Sequence, residues 1–361
     1  MLDIEKIDAN FVYAKLENED EYDFYPAHLP PFKIYGMEKQ DDGYFRRIPD
    51  DIAKDVNSGV RSSCQHTSGG RFIFKTNAPK LALKTTMPLG LSTGPTCTPV
   101  ATIGMDIYKR ENGKYHFLAS FKPSNDAKPE GWSAESKIWS DEEKEIVIFT
   151  AYFGCMEDIL IGVPKGCYIK EAGYYTYEKP IVFYGSSITH GCCAQRAGLT
   201  YPNLISQHFD TNIINHGYSG SAKGEETMAR YLARLDMSIF VYDYDHNAPT
   251  PEHLKETHEP FYKIVREKHP DIPIIMMSRP QWHEIGDKVA EERFNIIKET
   301  YDNAKARGEN VYILDGRHFY DKIGYQNGCT DASHPTTLGF LAMADAVISL
   351  IEKENLLNKK D

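Results

Sequence analysis

The chain has 361 residues, of which 41% are hydrophobic and 26% are charged, and its formal net charge is −11. This length and composition predict a soluble globular protein of about two domains. The negative charge disfavours nucleic acid and anionic membranes as partners, because both reward a basic surface. No stretch approaches the roughly 18 consecutive apolar residues of a membrane span.

The N-terminus and the cysteines indicate a reducing compartment. Residues 1–15 lack a basic start followed by an apolar core, so they do not resemble a signal peptide. Seven cysteines are scattered along the chain without a C-x-x-C pair, and the adjacent Cys192 and Cys193 are poorly placed for an ordinary disulfide. We interpret these two as small packing residues, and we expect a cytoplasmic protein.

Residues 1–176 are predicted to form a β-sandwich domain. Polar and apolar side chains alternate from Arg71 to Ala78, and further short apolar runs follow as far as Gly154. Glycine, proline, asparagine and aspartate separate these runs, and we find no convincing helical period. Short strands at such close spacing are typical of a β-sandwich. We place the linker to the next domain near Pro180.

Residues 177–361 are predicted to form an α/β domain with a five-stranded parallel sheet. Near-continuous apolar runs alternate with amphipathic segments, which is typical of parallel strands covered by helices on both faces. The runs begin at Ile181, Thr211, Met237, Ile272 and Val311. A last amphipathic helix is predicted to begin at Pro335, because proline is well tolerated at the first helical position.

Four polar clusters lie at or after the ends of these strands. They span residues 185–191, 215–221, 243–249 and 331–335. Open parallel sheets carry their chemistry at the carboxyl ends of the strands, so we expect these clusters to meet in one cleft. A glycine at the first of these ends permits a sharp turn that directs a serine into the cleft.

The residue types in these clusters fit nucleophilic catalysis. Ser187 is the candidate nucleophile, His334 is its candidate base, and Asp331 is close enough in sequence to orient the imidazole. Acyl transfer also forms an oxyanion, which needs donors placed in advance. The backbone N–H groups of Ser187 and Gly220 and the side-chain amide of Asn247 are candidates for that role.

Each of these signals has a plainer interpretation. A single serine such as Ser187 is more often a helix N-cap than a nucleophile. Asp243, Asp245 and His246 offer an alternative metal site, although three ligands within four residues rarely converge. Trp282 either stacks on a sugar or packs in the interior. Four polar clusters at strand ends together favour nucleophilic catalysis over these plainer interpretations.

Over residues 180–355, the blocks resemble the SGNH (GDSL-type) hydrolase superfamily. That family is named for a serine, a glycine, an asparagine and a histidine in four blocks. Residues 185–187 correspond to the family's Gly-Asp-Ser block, and Ser187 matches the catalytic serine. Gly220 matches the family glycine, and residues 331–335 match the Asp-x-x-His-Pro block in full.

The third block departs from the family pattern. The family usually has Gly-x-Asn-Asp, whereas this chain reads Tyr-Asp-His-Asn, and Asn247 is the aligned asparagine. The resemblance implies that Ser187, Asp331 and His334 are catalytic, without a metal or a cofactor. It also implies an oxyanion hole formed by Ser187, Gly220 and Asn247.

The N-terminal half carries a second resemblance. Residues 104–108 read Gly-Met-Asp-Ile-Tyr, which resembles the Gly-x-Asp-Leu-Tyr signature of jelly-roll domains that precede such hydrolases. The two-domain order resembles bacterial carbohydrate O-acetylesterases. This implies an esterase that deacetylates oligosaccharides derived from hemicelluloses such as mannan or xylan. A lipid or thioester acyl hydrolase and a non-catalytic carbohydrate-binding protein are the alternatives.

Overall fold

The structure is a computed structural model that describes residues 16–87, 96–123, 127–128, 130–284 and 288–357. The prediction that no signal peptide is present concerns residues 1–15, which lie outside these ranges. Within the described ranges, no helix is both long and apolar enough to cross a membrane.

The N-terminal half contains two antiparallel sheets. Its strands are β1 (Tyr22–Pro26), β2 (Lys33–Tyr35), β3 (Glu38–Lys39), β4 (Phe45–Arg46), β5 (Arg71–Thr76), β6 (Lys80–Thr85), β7 (Met105–Glu111), β8 (Lys114–Phe121), β9 (Trp132–Lys137), β10 (Lys144–Phe149), β11 (Ile159–Pro164) and β12 (Ile169–Lys170). One sheet has the order β1-β11-β6-β9, the other has the order β12-β5-β10-β7-β8 with β2 also paired to β5, and β3 and β4 form a separate ribbon.

These sheets confirm the predicted β-sandwich. Phe72 from β5 and Leu83 from β6 are fully buried in a common core between the two sheets. The opposite face of the larger sheet is also covered. Ile73 and Phe149 from that face pack with Ala197, which belongs to the C-terminal half. Burial on both faces explains why β10 is a continuous apolar run rather than an alternating one.

The C-terminal half contains a five-stranded parallel sheet, as predicted. Its strands are β13 (Tyr177–Gly185), β14 (Thr211–Gly217), β15 (Ile239–Asp243), β16 (Ile274–Met277) and β17 (Val311–Leu314), in the order β14-β13-β15-β16-β17. All neighbouring strands are parallel. The strand order reverses at β13, and the crevice beside such a switch point is where open sheets bind ligands.

Short helices lie in both halves, and longer ones cover the parallel sheet. The helices are α1 (Asp50–Val56), α2 (Ser58–Ser63), α3 (Pro99–Thr102), α4 (Ser187–His190), α5 (Tyr201–Phe209), α6 (Glu226–Leu232), α7 (Pro251–Lys268), α8 (Lys288–Ala306), α9 (Tyr325–Gly328) and α10 (Thr337–Glu354). Two apolar cores, one on each face, hold the helices to the sheet. The predicted last helix is thus α10.

The expected linker near Pro180 is instead part of a strand. β13 begins at Tyr177 and continues through Pro180, and its pairing with β14 is irregular between Tyr177 and Ile181. Proline has no N–H to donate, which accounts for that interruption in a central strand. The proposed division into residues 1–176 and 177–361 stays a prediction. Ala53 and Val60, from α1 and α2, pack in the core of the C-terminal half.

The Gly-Met-Asp-Ile-Tyr segment connects the two halves. Asp106 is fully buried in the sandwich, and its carboxylate accepts hydrogen bonds at 2.9 Å from the Arg196 guanidinium and from the backbone N–H of Gly198. The Ser120 hydroxyl donates a third bond at 2.7 Å. The segment therefore anchors the sandwich to the α/β half.

Candidate active site

The turn between β13 and α4 places two serines in different environments. A Cβ added at Gly185 would overlap the Asp243 carboxylate, so glycine is required by close approach. Ser186 is the N-cap of α4, and its hydroxyl accepts a 3.2 Å hydrogen bond from the N–H of Ile188. Ser187 is the first helical residue and is half-buried, with its hydroxyl directed to a different partner. The capping serine is thus Ser186 and not Ser187.

Ser187, His334 and Asp331 form a continuous hydrogen-bonded chain. Ser187 Oγ lies 2.9 Å from His334 Nε2, and His334 Nδ1 lies 2.9 Å from Asp331 Oδ2. Partial burial acts to raise the pKa of the Asp331 carboxyl, but hydrogen bonds from His334 and Ser333 outweigh it and lower that pKa below its usual value. An ionised Asp331 can hold the Nδ1–H tautomer, which leaves Nε2 free to accept a proton.

A short loop presents the Asp331–His334 pair. The Thr330 N–H donates to the His334 carbonyl at 2.8 Å, which closes the loop upon itself. From the end of β16, the Arg279 guanidinium donates to the Ala332 carbonyl at 2.8 Å. The prediction that Pro335 begins the last helix is wrong by two residues. Thr336 is the N-cap, because its hydroxyl can accept a bond from the backbone, and α10 begins after it.

The three candidate oxyanion donors lie on adjoining loops. Within the described part of the chain, the N–H groups of Ser187 and Gly220 donate to no backbone or side-chain acceptor. Gly220 is exposed at φ +65°, and its loop is held beside the nucleophile turn by a 2.9 Å bond from Tyr218 N–H to the Gly185 carbonyl. Asn247 Nδ2 donates to the Tyr218 carbonyl at 3.0 Å. Their role as oxyanion donors stays a prediction.

A second polar cluster lies behind the nucleophile turn. The buried Asp243 carboxylate accepts bonds from the Thr189 hydroxyl and, at 3.3 Å, from the N–H of Ser186. The Tyr201 hydroxyl lies 2.8 Å from Thr189 Oγ1. Burial raises the pKa of Asp243 to about 7, against the opposing effect of these hydrogen bonds. This cluster fixes the backbone of the turn and does not reach the surface.

The alternative metal site does not form. Asp243 faces the nucleophile turn, whereas Asp245 accepts a 3.1 Å bond from the N–H of Arg279. Among the described residues, these two aspartates and His246 are not one of the groups whose ligand atoms lie within 4.8 Å of one another. Trp282 is 5% exposed and stacks on Phe294, so it packs in the interior instead of offering a face to a sugar.

Sequence reasoning missed two residues that support the site. His190 is fully buried, with Nε2 2.7 Å from the Tyr152 carbonyl and Nδ1 3.0 Å from Ser219 Oγ. Asn57, from the N-terminal half, donates to the Ser221 carbonyl at 2.9 Å. Both residues hold the Gly220 loop through contacts between distant segments, for which the sequence carries no signal.

Two sequence families match the chain. Residues 178–352 match the GDSL-like Lipase/Acylhydrolase family, and residues 22–169 match the GxDLY family, the N-terminus of SGNH-hydrolase-type esterases. The matches lie on the α/β half and on the sandwich half, and they confirm both resemblances drawn from the sequence. No curated protein matches the chain in sequence at a significant level.

Several solved structures are similar over nearly the whole chain. A Bacteroides ovatus protein described as a GDSL-like lipase is 26% identical with a TM-score of 0.82, over 92% of this chain and 97% of that one. The salicylyl-acyltransferase SsfX3 of a tetracycline biosynthetic pathway is 17% identical with a TM-score of 0.75, over 94% and 99%. A family two carbohydrate esterase from Clostridium thermocellum, in complex with cellohexaose, is 12% identical with a TM-score of 0.62, over 90% and 100%. The last two likenesses show the fold alone.

Proposed function

Because residues 178–352 match the GDSL-like Lipase/Acylhydrolase family, we propose that the chain is a serine esterase that removes O-acetyl groups from carbohydrates. Ser187 is the nucleophile, His334 the general base and Asp331 the residue that orients it. The observation that carries this proposal is the hydrogen-bonded chain of these three side chains, with both links at 2.9 Å. It joins a half-buried hydroxyl to a base whose tautomer is held by a carboxylate.

The proposed reaction proceeds through an acetyl-enzyme. Ser187 Oγ attacks the acetyl carbonyl carbon while His334 Nε2 takes the hydroxyl proton. The carbonyl oxygen becomes an oxyanion, which accepts hydrogen bonds from the N–H groups of Ser187 and Gly220 and from the Asn247 amide. His334 then returns the proton to the departing sugar oxygen. A water molecule, deprotonated by His334, then attacks the acetyl-serine. The bond to Ser187 Oγ breaks, acetate is released, and His334 returns the proton to Ser187 Oγ.

The surroundings of the triad favour a hydrated substrate over a long acyl chain. The side chains of His334 and Asp331 are 24% and 43% exposed, so the site opens directly to solvent. Described neighbours of the site include the polar side chains of Asn57, Ser219 and Arg279. An acyl chain needs an enclosed apolar channel, whereas a sugar is bound by polar groups at an open cleft.

Both halves of the chain contribute to this cleft. Asn57 contacts the Gly220 loop, and Thr96 Oγ1 lies 3.2 Å from Sγ of Cys193, close to the Asp331–His334 pair. An acetyl group offers little binding energy, so discrimination among carbohydrates requires contacts to the sugar itself. Hemicellulose-derived mannan or xylan oligosaccharides are the proposed partners.

A substrate panel tests the proposal on the full-length protein. Acetylated manno- and xylo-oligosaccharides are compared with long-chain acyl esters and with acyl thioesters, and kcat/KM is measured for each. We expect the highest kcat/KM for an acetylated oligosaccharide. A clear preference for long acyl chains or thioesters would establish the lipid or thioester hydrolase instead. Oligosaccharide binding without acetate release would establish the non-catalytic alternative.

Covalent labelling tests the catalytic residues independently of the substrate. An organophosphate that reacts with activated serines should add one adduct, and peptide mass spectrometry should locate it on Ser187. The Ser186→Ala variant is the matched control and should still be labelled. A failed substrate panel with intact Ser187 labelling would reject only the carbohydrate substrate, whereas an unlabelled Ser187 would reject the mechanism.

The location of the protein stays a prediction. All seven cysteines are free thiols in the structure, which agrees with the proposed cytoplasmic, reducing environment. Fractionation of the native host, with detection by an antibody against the full-length protein, tests it. Recovery from the culture medium would contradict this prediction.

A further inference from the structure

Three cysteines from two separate segments meet beside the triad. Cys97 lies before α3 in the N-terminal half, and Cys192 and Cys193 follow α4 in the C-terminal half. Sγ of Cys193 lies 3.7 Å from that of Cys192 and 4.0 Å from that of Cys97, and all three sulfurs lie within 4.8 Å of one another. None of these residues has a place in the ester hydrolysis described above.

The spacing of the three sulfurs suits a tetrahedral metal ion. Zinc binds thiolates at about 2.3 Å, so two sulfurs on one tetrahedral zinc are about 3.8 Å apart. The distances from Cys193 to Cys192 and Cys97, 3.7 and 4.0 Å, lie close to that value. Soft thiolate ligands select ions such as zinc over calcium or magnesium.

The backbone at Cys193 is an independent indication of a constructed site. Its φ is +76°, a left-handed conformation that is uncommon for a residue with a Cβ. Such backbone conformations cluster at functional and ligand-binding sites. Here the conformation accompanies the close approach of two thiols that are adjacent in sequence.

The thiol cluster adjoins the proposed general base. Sγ of Cys193, a carboxylate oxygen of Asp331 and a ring nitrogen of His334 all lie within 4.8 Å of one another. Three thiolates leave one position open on a tetrahedral ion. When neutral His334 donates Nδ1–H to Asp331, its lone pair is on Nε2. A metal that took this lone pair would leave Ser187 without a base.

We propose that Cys97, Cys192 and Cys193 form a binding site for a thiophilic divalent ion of the zinc class, and that its occupation inhibits the enzyme by engaging His334. Binding replaces the thiol protons, which pass to solvent, and requires no change of oxidation state. The binding site stands on the sulfur and backbone geometry, independently of the proposed esterase function. The inhibition rests on the proposed esterase function. The ion is an inhibitor here and takes no part in ester hydrolysis.

Direct binding is tested first, because it does not depend on activity. Metal-free, reduced, full-length protein is titrated with Zn²⁺ by calorimetry and with Co²⁺ by absorption spectroscopy. We expect one ion per chain, with the thiolate-to-cobalt charge-transfer band and strong visible bands of a tetrahedral thiolate site. Cys97→Ser and Cys192→Ser should each weaken zinc binding by at least about 100-fold, since even the loss of a group that orients a ligand costs about 10–100-fold.

A matched control separates this site from the remaining thiols. Cys167 is a half-buried free cysteine in the sandwich half, and Cys167→Ser should bind both ions as the unaltered protein does. Circular dichroism of each variant verifies folding. Absence of thiolate-to-cobalt bands, or equal zinc affinity in all three variants, would overturn the proposed site.

The coupling to catalysis is tested by comparing each protein with itself. The rate of acetate-ester hydrolysis with one equivalent of Zn²⁺ is divided by the rate of the same protein without metal. We expect this ratio to fall at least about tenfold in the unaltered protein, to recover on addition of a chelator, and to stay near one in Cys97→Ser and Cys192→Ser. Zinc inhibition that persists in both variants would place the ion on His334 and Asp331 alone and reject the proposal. Zinc binding without inhibition would reject the coupling only.

Discussion

Two clusters of hydroxyl and carboxyl groups flank the turn between β13 and α4, and they differ chiefly in burial. The triad contains Ser187, His334 and Asp331. The second polar cluster, behind the turn, contains Ser186, Thr189, Tyr201 and Asp243. The Asp331 side chain is 43% exposed, and hydrogen bonds hold its pKa below the usual value. Asp243 is 5% exposed, and burial raises its pKa to about 7. The pKa of an aspartate is thus lowered on one side of the turn and raised on the other.

This difference shows that the position of a residue, and not its type, determines whether it supports the turn or takes part in the triad. Ser186 and Ser187 are neighbours, yet one hydroxyl accepts a backbone N–H of α4 and the other faces His334. Ser186 is the N-cap and Ser187 the first helical residue of α4, so their side chains leave the turn in different directions and only that of Ser187 reaches His334. The buried side stabilises the backbone geometry that the exposed side uses. Four variants probe this division.

The largest effect is expected for Ser187→Ala. Removing the nucleophile of a catalytic triad lowers kcat by about 10⁴–10⁶-fold, because base, orienting group and nucleophile act as a unit. Hydrolysis of 4-nitrophenyl acetate gives the rate, and thermal unfolding verifies the fold. If Ser186→Ala were the inactive variant and Ser187→Ala retained activity, the roles assigned to the two serines would be reversed.

Asp331→Asn should lower kcat by about 10²–10⁴-fold. The uncharged amide no longer stabilises the imidazolium, and it permits the unproductive tautomer of His334. The lowered pKa of Asp331 keeps its carboxylate ionised at pH 6 and at pH 8, so a loss of kcat is expected at both pH values. Steady-state rates at both pH values check this. Full activity would show that His334 is oriented by another group.

Asp243→Asn should change the pH dependence of stability. The pKa of Asp243 is about 7 in the folded protein and about 3.9 in an unfolded chain. Between those pH values, the folded protein holds a proton that the unfolded chain releases. The free energy of unfolding therefore falls as pH rises from about 4 to about 7, by roughly 2–4 kcal/mol from this group.

The measurement is urea unfolding of Asp243→Asn and of the unaltered protein at pH 5 and pH 8. The variant should lose less stability between the two pH values, because asparagine does not titrate. Asp331→Asn is the matched control, since the lowered pKa of Asp331 places its titration below pH 5 and the stability it adds above that range is constant. Equal losses in the Asp243→Asn variant and the unaltered protein would show that Asp243 is not protonated when folded.

The smallest effect is expected for Ser186→Ala. Loss of an N-cap hydroxyl lowers the free energy of unfolding by about 1 kcal/mol. The triad is untouched, so kcat/KM should fall by less than about tenfold, a change of about 1.4 kcal/mol. Chemical denaturation and ester hydrolysis measure the two quantities. A loss of activity as large as that of Ser187→Ala would mean that the cap is essential to nucleophile geometry.

Much of the fold was predictable because it rests on short-range periodicity. The apolar run from Ile181 and the four later runs are the strands of the parallel sheet, and the helical spacing before the C-terminus is α10. The Asp331–His334 pair was predictable for a related reason: three residues in one turn bring the two side chains together whatever surrounds them. The predicted linker near Pro180 is instead part of β13. Proline is a local signal for a break between elements, but here the central strand continues on both sides of it.

The sequence by itself determined the strands and the last helix of the α/β half, the local carboxylate–imidazole pair and the choice of Ser187 as candidate nucleophile. The helices α1 and α2 of the N-terminal half contradict the absence of a helical period that we inferred there. Only the tertiary structure decided which serine caps α4, how deeply Asp243 and His190 are buried, and that Cys97 meets Cys193, 96 positions further along the chain. The physical reason is the separation along the chain over which each effect acts. Hydrophobic period and turn geometry act between near neighbours, whereas burial and the distances between remote side chains depend on how whole elements pack.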